Sequence, residues 1–181
     1  VKFTLRNGFV FSSRVRDMTE VTVEIDPDHP DVYGFQILHV LEYSSRRARM
    51  GVICRDRDGN ITLYEKGSDA VINQRLNLDK TSKEVLRETT DCIDKLAAKG
   101  LRTLVIARRT LEPDFYADWA ERLRKASTGE DGTSVDDRAE VQQRLYEEVE
   151  ADLELLGVTA VEDRLQDLVP ECIEFFLAAG I

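Results

Sequence analysis

Three apolar runs follow one another early in the chain, with only short polar connections between them. They cover residues 35–43, 50–54 and 61–64. Asp58-Gly59 lies between the last two runs, and this dipeptide between apolar segments is a strong signal for a tight β-hairpin. Such turns join antiparallel strands, whereas parallel strands need a long crossover connection. The sequence therefore predicts an antiparallel sheet at the start of the fold.

Two further strands are predicted upstream of these runs. Residues 9–11 are apolar and follow an Asn-Gly turn signal. Val21, Val23 and Ile25 alternate with polar residues, which is the period of a strand with one buried face. Residues 26–30 contain two prolines, which are excluded from the interior of a sheet, so this segment is predicted to be a loop.

Downstream of the hairpin, the spacing of the apolar residues becomes that of helices. Residues 68–76 are predicted to form a short helix with Ser68 as its N-cap. Thr81 and Glu84 have the spacing of a capping box and precede an amphipathic segment. Gly100 is predicted to end that second helix as a C′ glycine.

The rest of the chain, residues 101–181, is predicted to be mainly helical. The predicted elements are a strand over 101–107, a helix that begins at Pro113, a polar loop over 127–134, a long helix from there to Leu156 that Gly157 ends, a strand over 158–161 and a helix from Pro170. A block of strands followed by helices favours an α+β fold, an antiparallel β-sheet flanked by helices, over alternating βαβ units.

Charge and composition exclude several classes of function. The chain has 181 residues, and its 25 Lys and Arg against 35 Asp and Glu give a net charge of −10. Nucleic acids and anionic membranes attract positive charge, so we expect neither nucleic-acid binding nor direct membrane insertion. No apolar run approaches the ~18 residues of a membrane-spanning helix. The widely spaced cysteines Cys54, Cys92 and Cys172 indicate reduced thiols in the cytosol.

The sequence contains none of four common motifs of nucleotide-binding or catalytic sites. There is no phosphate-binding GxxxxGK[ST] loop, no GxGxxG turn, no HExxH helix and no GxSxG elbow. The chain begins at Val1 rather than at a methionine, so we expect it to be an excised piece of a longer protein or a processed product. We expect this piece to be monomeric and to carry no catalytic residue of its own.

Three groups of residues have the chemistry of a nucleotide site. Tyr43 ends an apolar strand and is followed by Ser45 and Arg47, so a ring that can stack on a base lies near groups that can face phosphates. Lys66 offers a compact cation, and Gly67 allows close approach of the backbone. Arg102 begins a strand. Each group alone is also typical of an ordinary surface, where a half-buried tyrosine, a strand-ending lysine or an arginine paired with a carboxylate is common.

Taken together in order, these groups and their flanks resemble a known family. The stretches that carry the resemblance are 43–53 (YSSRRARMGVI), 63–69 (LYEKGSD), 100–104 (GLRTL), 155–166 (LLGVTAVEDRLQ), and 169–173 (VPECI) with 179–181 (AGI). They resemble the nucleotide-binding domain of the P-type ATPases, and within that family the phospholipid flippases. The resemblance covers nearly the whole chain. Tyr43 stands where the family usually has phenylalanine, and the stacking face is retained.

The resemblance implies a function and a set of contacts. It implies ATP or ADP binding with Tyr43 stacked on the adenine, Lys66 near the base and ribose, and Arg102 on the β-phosphate side. Ser45, Arg47 and Gly67 are the further contacts. Mg²⁺ is implied to arrive with the nucleotide, without a protein metal site here. The implied partners are the phosphorylation and actuator domains of the same polypeptide, at the cytosolic face of a membrane.

The resemblance also implies a division of the chain and leaves alternatives. Residues 1–156 correspond to the nucleotide-binding domain without its first residues. Residues 157–181 resemble a return segment at the start of the second part of the phosphorylation domain. One alternative is the same domain of a cation-transporting P-type ATPase, against which the TAVED sequence of residues 159–163 argues. The other is a non-catalytic acidic protein-interaction module, in which the three groups need not converge in space.

Overall fold

A single antiparallel sheet organises the fold. The computed structural model describes residues 9–15, 18–23, 31–162 and 167–181. In these ranges seven strands pair antiparallel, and their order in space is their order in the chain. They are β1 (Phe9–Val15), β2 (Met18–Val23), β3 (Asp31–Ser44), β4 (Arg49–Arg55), β5 (Ile61–Gly67), β6 (Arg102–Leu111) and β7 (Glu154–Val161). The predicted α+β fold with an antiparallel sheet is confirmed.

Helices are inserted between the later strands and follow the last one. They are α1 (Asp69–Asn73), α2 (Lys83–Ala97), α3 (Pro113–Thr128), α4 (Arg138–Val149) and α5 (Val169–Ala178). Helix α1 packs on β5 and β6, α2 packs on β6 and β7, and α3 packs on α4. No described helix is long and apolar enough to cross a membrane. The predicted turn before β1, the residue Ile25 and the predicted loop 26–30 lie outside the described residues.

The hairpin between β4 and β5 forms as the Asp-Gly signal predicts. The carboxylate of Asp56 accepts hydrogen bonds from the backbone N–H groups of Asp58 and Asn60, at 3.0 and 2.9 Å. Gly59 has a φ of +89°, a left-handed conformation that glycine adopts without steric cost. The turn therefore sets the register of the two strands, in which Arg55 lies opposite Ile61.

The two faces of the central strands differ in burial. On one face Leu41, Ile53, Leu63 and Val105 are buried in the core with residues of the helices. The indole N–H of Trp119 donates to the carbonyl of Leu145 at 2.7 Å and so ties α3 to α4 within that core. The residues between the core positions of β4, β5 and β6 point to the other side and, apart from the buried Cys54, are half-buried or exposed. We call this other side the open face; it carries Met50, Val52, Tyr64, Lys66 and Ile106.

The start of α2 differs from the sequence prediction, whereas its end agrees. Ser82 is the N-cap, and its hydroxyl accepts from the N–H of Val85 at 3.1 Å. Thr81 is buried, and its hydroxyl accepts from the N–H of Leu155 at the start of β7, so the predicted capping box with Thr81 is wrong. Gly100, with a φ of +74°, ends the helix as predicted.

Helix α4 ends at Val149, so the predicted long helix to Leu156 is wrong. The guanidinium of Arg109 donates to the carbonyls of Glu148, Val149 and Ala151, which satisfies the end of the helix from the neighbouring strand β6. The chain then turns through Asp152, which has a φ of +67°, and enters β7. The predicted boundary between residues 156 and 157 falls inside β7, and residues on both sides of it pair with β6.

Candidate functional site

Tyr43 and Arg102 lie on one cleft. Tyr43 is at the end of β3 with 60% of its surface exposed, and Arg102 is the first residue of β6. The cleft has a volume of about 500 Å³, and its other lining residues are Thr103, Leu104 and Val161. The structure thus brings together an aromatic face and a guanidinium that are far apart in the sequence. Such a pair can bind a flat ring and an anion at the same time.

Lys66 lies on a second, smaller cleft on the open face. This cleft has a volume of about 260 Å³, and Met50, Val52, Tyr64 and Ile106 are among its lining residues. The register of the sheet explains the arrangement, because Met50 pairs with Lys66 and Lys66 pairs with Ile106. The ammonium group of Lys66 makes no ion pair with the described residues. An apolar surface with one cation at its rim suits a flat ligand that carries polar edges.

The two clefts are neighbours along β6. Alternate residues of a strand point to the same side, so Arg102, Leu104 and Ile106 share one face. Leu104 lines the first cleft and Ile106 lines the second. Arg102 and Ile106 are four residues apart, which corresponds to ~14 Å along a strand. An elongated ligand that lies along β6 can therefore contact both clefts.

Gly67 holds the end of β5 close to the turn between β3 and β4. A Cβ atom at this position would lie 2.7 Å from Arg49 Cβ and 2.9 Å from the carbonyl oxygen of Ala48. The next residue, Ser68, donates its N–H to that same carbonyl at 3.1 Å. The glycine therefore permits the close packing that fixes Lys66 relative to the turn. Gly67 is not among the residues that line either cleft.

Ser45 and Arg47 are not brought to the clefts. Ser45 is exposed in the turn and lines neither of them. Arg47 is only 5% exposed; its guanidinium forms an ion pair with Glu150 and lies 4.9 Å from the centroid of the Tyr146 ring. In this arrangement the positive charge of Arg47 faces the interior, so the geometry gives no support to the predicted contact with a nucleotide.

A buried group of four charged residues lies behind the clefts, and the sequence prediction did not include it. We call Arg47, Arg49, Glu65 and Glu150 the ion cluster. Arg49 Nε lies 2.9 Å from a carboxylate oxygen of Glu65 and 2.9 Å from a carboxylate oxygen of Glu150, and its N–H donates to Glu150. The signal was present in the sequence, because Arg49 and Glu65 occupy positions of β4 and β5 that are in phase with the buried residues Ile53 and Leu63 and therefore lie on the core face.

Burial governs the protonation of the ion cluster. It raises the pKa of Glu65 to about 7, against the lowering effect of Arg49 and Arg47. Burial, together with the charge of Arg75, lowers the pKa of Arg49 to about 10. Neither carboxyl oxygen of Glu65 accepts a hydrogen bond from the described residues. The cluster therefore holds two arginines that stay charged at neutral pH and one carboxyl that titrates there.

The sequence of this sheet and its clefts matches a known family. Residues 33–167 match the family described as P-type ATPase, cytoplasmic domain N. The chain belongs to this family. The matched range contains β3 from its third residue onward, all of β4 to β7 and helices α1 to α4, and therefore both clefts and the ion cluster. By homology the chain is the nucleotide-binding domain of a P-type ATPase, and the predicted family is confirmed.

Similar full-length proteins place this P-type ATPase domain in one branch of the family. The chain is 41% identical over 174 residues to the mouse "Phospholipid-transporting ATPase ID", 42% identical over 148 residues to a fission yeast "Phospholipid-transporting ATPase C887.12", and 36% identical over 175 residues to the Arabidopsis "Probable phospholipid-transporting ATPase 4". These matches cover 96%, 82% and 96% of the chain. They confirm the predicted resemblance to the phospholipid-transporting subfamily. The chain spans 13%, 11% and 14% of the length of these relatives.

Proposed function

We propose that the two neighbouring clefts bind ATP. The observation that carries the proposal is the convergence of Tyr43 and Arg102 on one cleft, with Lys66 on the cleft beside it. The ring of Tyr43 stacks on the adenine, a contact that is worth about 1–3 kcal/mol for a base on an aromatic side chain. Lys66 reaches the base and ribose from the open face, and Arg102 binds on the β-phosphate side through charge-assisted hydrogen bonds.

The role of this domain is to hold ATP for a reaction carried out elsewhere in the polypeptide. The domain presents ATP to the phosphorylation domain, where an aspartate takes up the terminal phosphate, and the actuator domain completes the cycle. In the described residues no three His, Cys, Asp or Glu side chains are grouped to hold a metal ion, and Mg²⁺ arrives with the nucleotide. Residues 157–181 correspond to the return segment that leads into the phosphorylation domain.

The whole protein, in this proposal, moves phospholipid between the leaflets of a membrane, with this domain at the cytosolic face. The support is that the similar proteins are named as phospholipid-transporting ATPases. The chain alone binds ATP weakly, because one stack and two exposed cations must offset the immobilisation of the ligand. We expect a Kd on the order of 1 mM, equivalent to about −4 kcal/mol.

A two-dimensional amide NMR titration with ATP and with ADP, with and without Mg²⁺, tests the proposal. We expect saturable shifts near Tyr43, Lys66 and Arg102 that Lys66→Ala largely removes. Lys80→Ala is the matched control, since Lys80 is an exposed lysine that pairs with Asp152. Equal binding by both variants, or shifts spread without localisation up to several millimolar nucleotide, would contradict the proposed site.

A further inference from the structure

We propose that Glu150 is a positioning residue for the nucleotide site, which it acts on by holding the turn between β3 and β4 through Arg47 and Arg49. This inference rests on the proposed function of the clefts. Glu150 belongs to neither cleft: it lies one residue past the end of α4 and has no exposed surface. Its contacts nevertheless lead directly to the backbone beside Tyr43.

The first connection runs through Arg47. One nitrogen of its guanidinium donates to the carbonyl oxygen of Glu42, and the other terminal nitrogen pairs with the carboxylate of Glu150. Glu42 immediately precedes Tyr43 in β3. A single rigid guanidinium therefore joins the peptide group next to the stacking ring to the end of α4.

The second connection runs through Arg49. This residue donates to Glu150 through Nε at 2.9 Å and also through a terminal nitrogen, and its other terminal nitrogen donates to the carbonyl oxygen of Arg47 at 3.1 Å. The turn is thus held at both ends, at the carbonyls of Glu42 and Arg47, by two arginines that share one carboxylate. Removing that carboxylate leaves both arginines buried without their shared partner.

The same turn also contacts the Lys66 side of the site. The carbonyl of Ala48 accepts from Ser68, and Gly67 packs against Arg49 with no room for a Cβ atom. A displacement of the turn therefore moves Tyr43 on one side and the end of β5 on the other. Base contacts and ribose contacts both depend on the position of this turn.

The remaining charged and titratable groups that face the arginines are Glu65 of β5, Arg75 before α2, and Tyr146 and Glu147 of α4. Glu65 changes charge near pH 7, so it modulates how strongly the arginines are held. Above that pH the charge of Glu65 adds to that of Glu150 in balancing Arg47 and Arg49, and below it the contribution of Glu65 is lost. The loss of nucleotide affinity when Glu150 is replaced is therefore expected to be larger at pH 6 than at pH 8.

The test compares Glu150→Gln with Glu148→Gln in the 181-residue chain. Glu148 lies in the last turn of α4, two residues before Glu150, and pairs with the surface residue Arg122, so it is a matched control that the turn does not contact. Affinities for ATP and for AMP are read from the initial slopes of the amide shifts, well below the unfolding temperature. AMP shares the base and ribose with ATP but lacks the β-phosphate that Arg102 binds.

For Glu150→Gln we expect about tenfold weaker binding, equivalent to about 1.4 kcal/mol. The factor is the same for ATP and AMP because the turn places the base contact, and it is larger at pH 6 than at pH 8. Glu148→Gln binds like the wild type. Wild-type affinity and pH profile in a folded Glu150→Gln chain would overturn the inference, whereas a wild-type chain that binds no nucleotide would instead overturn the proposed function.

A second variant keeps the inference testable if Glu150→Gln fails to fold. Arg47→Lys retains the positive charge, but a single ammonium group cannot join Glu42 and Glu150 as the guanidinium fork does. We expect a chain that folds, an altered amide shift at Tyr43 without ligand, and weaker binding of both nucleotides. Unchanged binding by Arg47→Lys would also overturn the inference.

Discussion

Replacing Glu65 by glutamine should remove a specific dependence of stability on pH. Glu65 is 1% exposed, and burial raises its pKa from an ordinary 4.5 to about 7 in the folded chain. Between these two values the folded state holds a proton that the unfolded state has released. The free energy of unfolding therefore falls as pH rises through this range. The stabilisation is fully present below pH 4.5 and is lost once the pH has passed about 7.

The size of this effect follows from the two pKa values. Each pH unit between 4.5 and about 7 lowers the free energy of unfolding by about 1.4 kcal/mol, which gives about 3 kcal/mol in total. The Glu65→Gln chain lacks this component, since its amide does not titrate. Arg49, with a pKa of about 10, stays charged over the same range and does not contribute.

Urea unfolding followed by the fluorescence of Trp119, the single and fully buried tryptophan, provides the assay. The difference in unfolding free energy between wild type and Glu65→Gln should change by about 3 kcal/mol between pH 4.5 and 7.5, in favour of the variant at the higher pH. Other titrating groups, such as His39, cancel in this difference. Glu154→Gln is the control: Arg108 lowers the pKa of this exposed carboxyl, so its contribution is lost only as pH falls below 4.5. If the difference in unfolding free energy between wild type and Glu65→Gln stays constant with pH, the assignment of this pH dependence to Glu65 is refuted.

Three other substitutions test the site and its supports. Arg102→Ala should weaken ATP binding about fivefold, or about 1 kcal/mol, and leave AMP binding unchanged in the amide titration; an equal loss for both nucleotides would contradict its place near the β-phosphate. Gly67→Ala should lower the free energy of unfolding by about 1–3 kcal/mol in urea, because the added methyl group meets the backbone of Ala48; wild-type stability would contradict that contact. Arg109→Met should lower the free energy of unfolding by about 1–3 kcal/mol, because three carbonyls at the end of α4 lose their donor. The control Arg108→Met, at an exposed neighbouring position, should lower it by less than about 0.5 kcal/mol. Equal losses in the two arginine variants would refute the capping role.

The features predicted correctly from the sequence depend on nearby residues. The β4–β5 hairpin follows from Asp58 and Gly59, and the end of α2 follows from the left-handed Gly100. The convergence of the distant residues Tyr43 and Arg102 on one cleft is different, because it was expected only from the family resemblance of the ordered motifs and not from local spacing. The contacts that these residues make with ATP remain predictions.

The errors arose where a distant residue changes a local pattern. The apolar spacing of Leu145, Val149 and Leu153 continues past the end of α4, but Arg109 of β6 binds the helix carbonyls and the chain turns into β7. Thr81 has the spacing from Glu84 that is typical of a helix cap, but its hydroxyl accepts a hydrogen bond from the N–H of Leu155 instead.

The ion cluster was missed for the same reason. Arg47 and Glu150 are 103 residues apart, and the sequence around each residue does not indicate that the other is its partner. Arg47 was predicted to face a phosphate because it lies in a basic turn close to the ring of Tyr43. Its burial becomes visible only when the end of α4 is placed beneath the turn.

The order of strands in the sheet has a consequence for how the chain acquires its structure. Each strand pairs with the strand that precedes it in the chain, and β1 to β5 are joined by short connections, whereas β6 and β7 each pair only after two helices have been added. Loop-closure entropy is therefore lost in small steps over the first five strands, and folding rates fall as the mean sequence separation of contacts grows. On a ribosome that adds about 5–20 residues per second, the sheet can extend strand by strand as the chain emerges. The long-range ion pair between Arg47 and Glu150 forms only when α4 is complete, so the turn beside Tyr43 is expected to be among the last parts of the domain to become rigid.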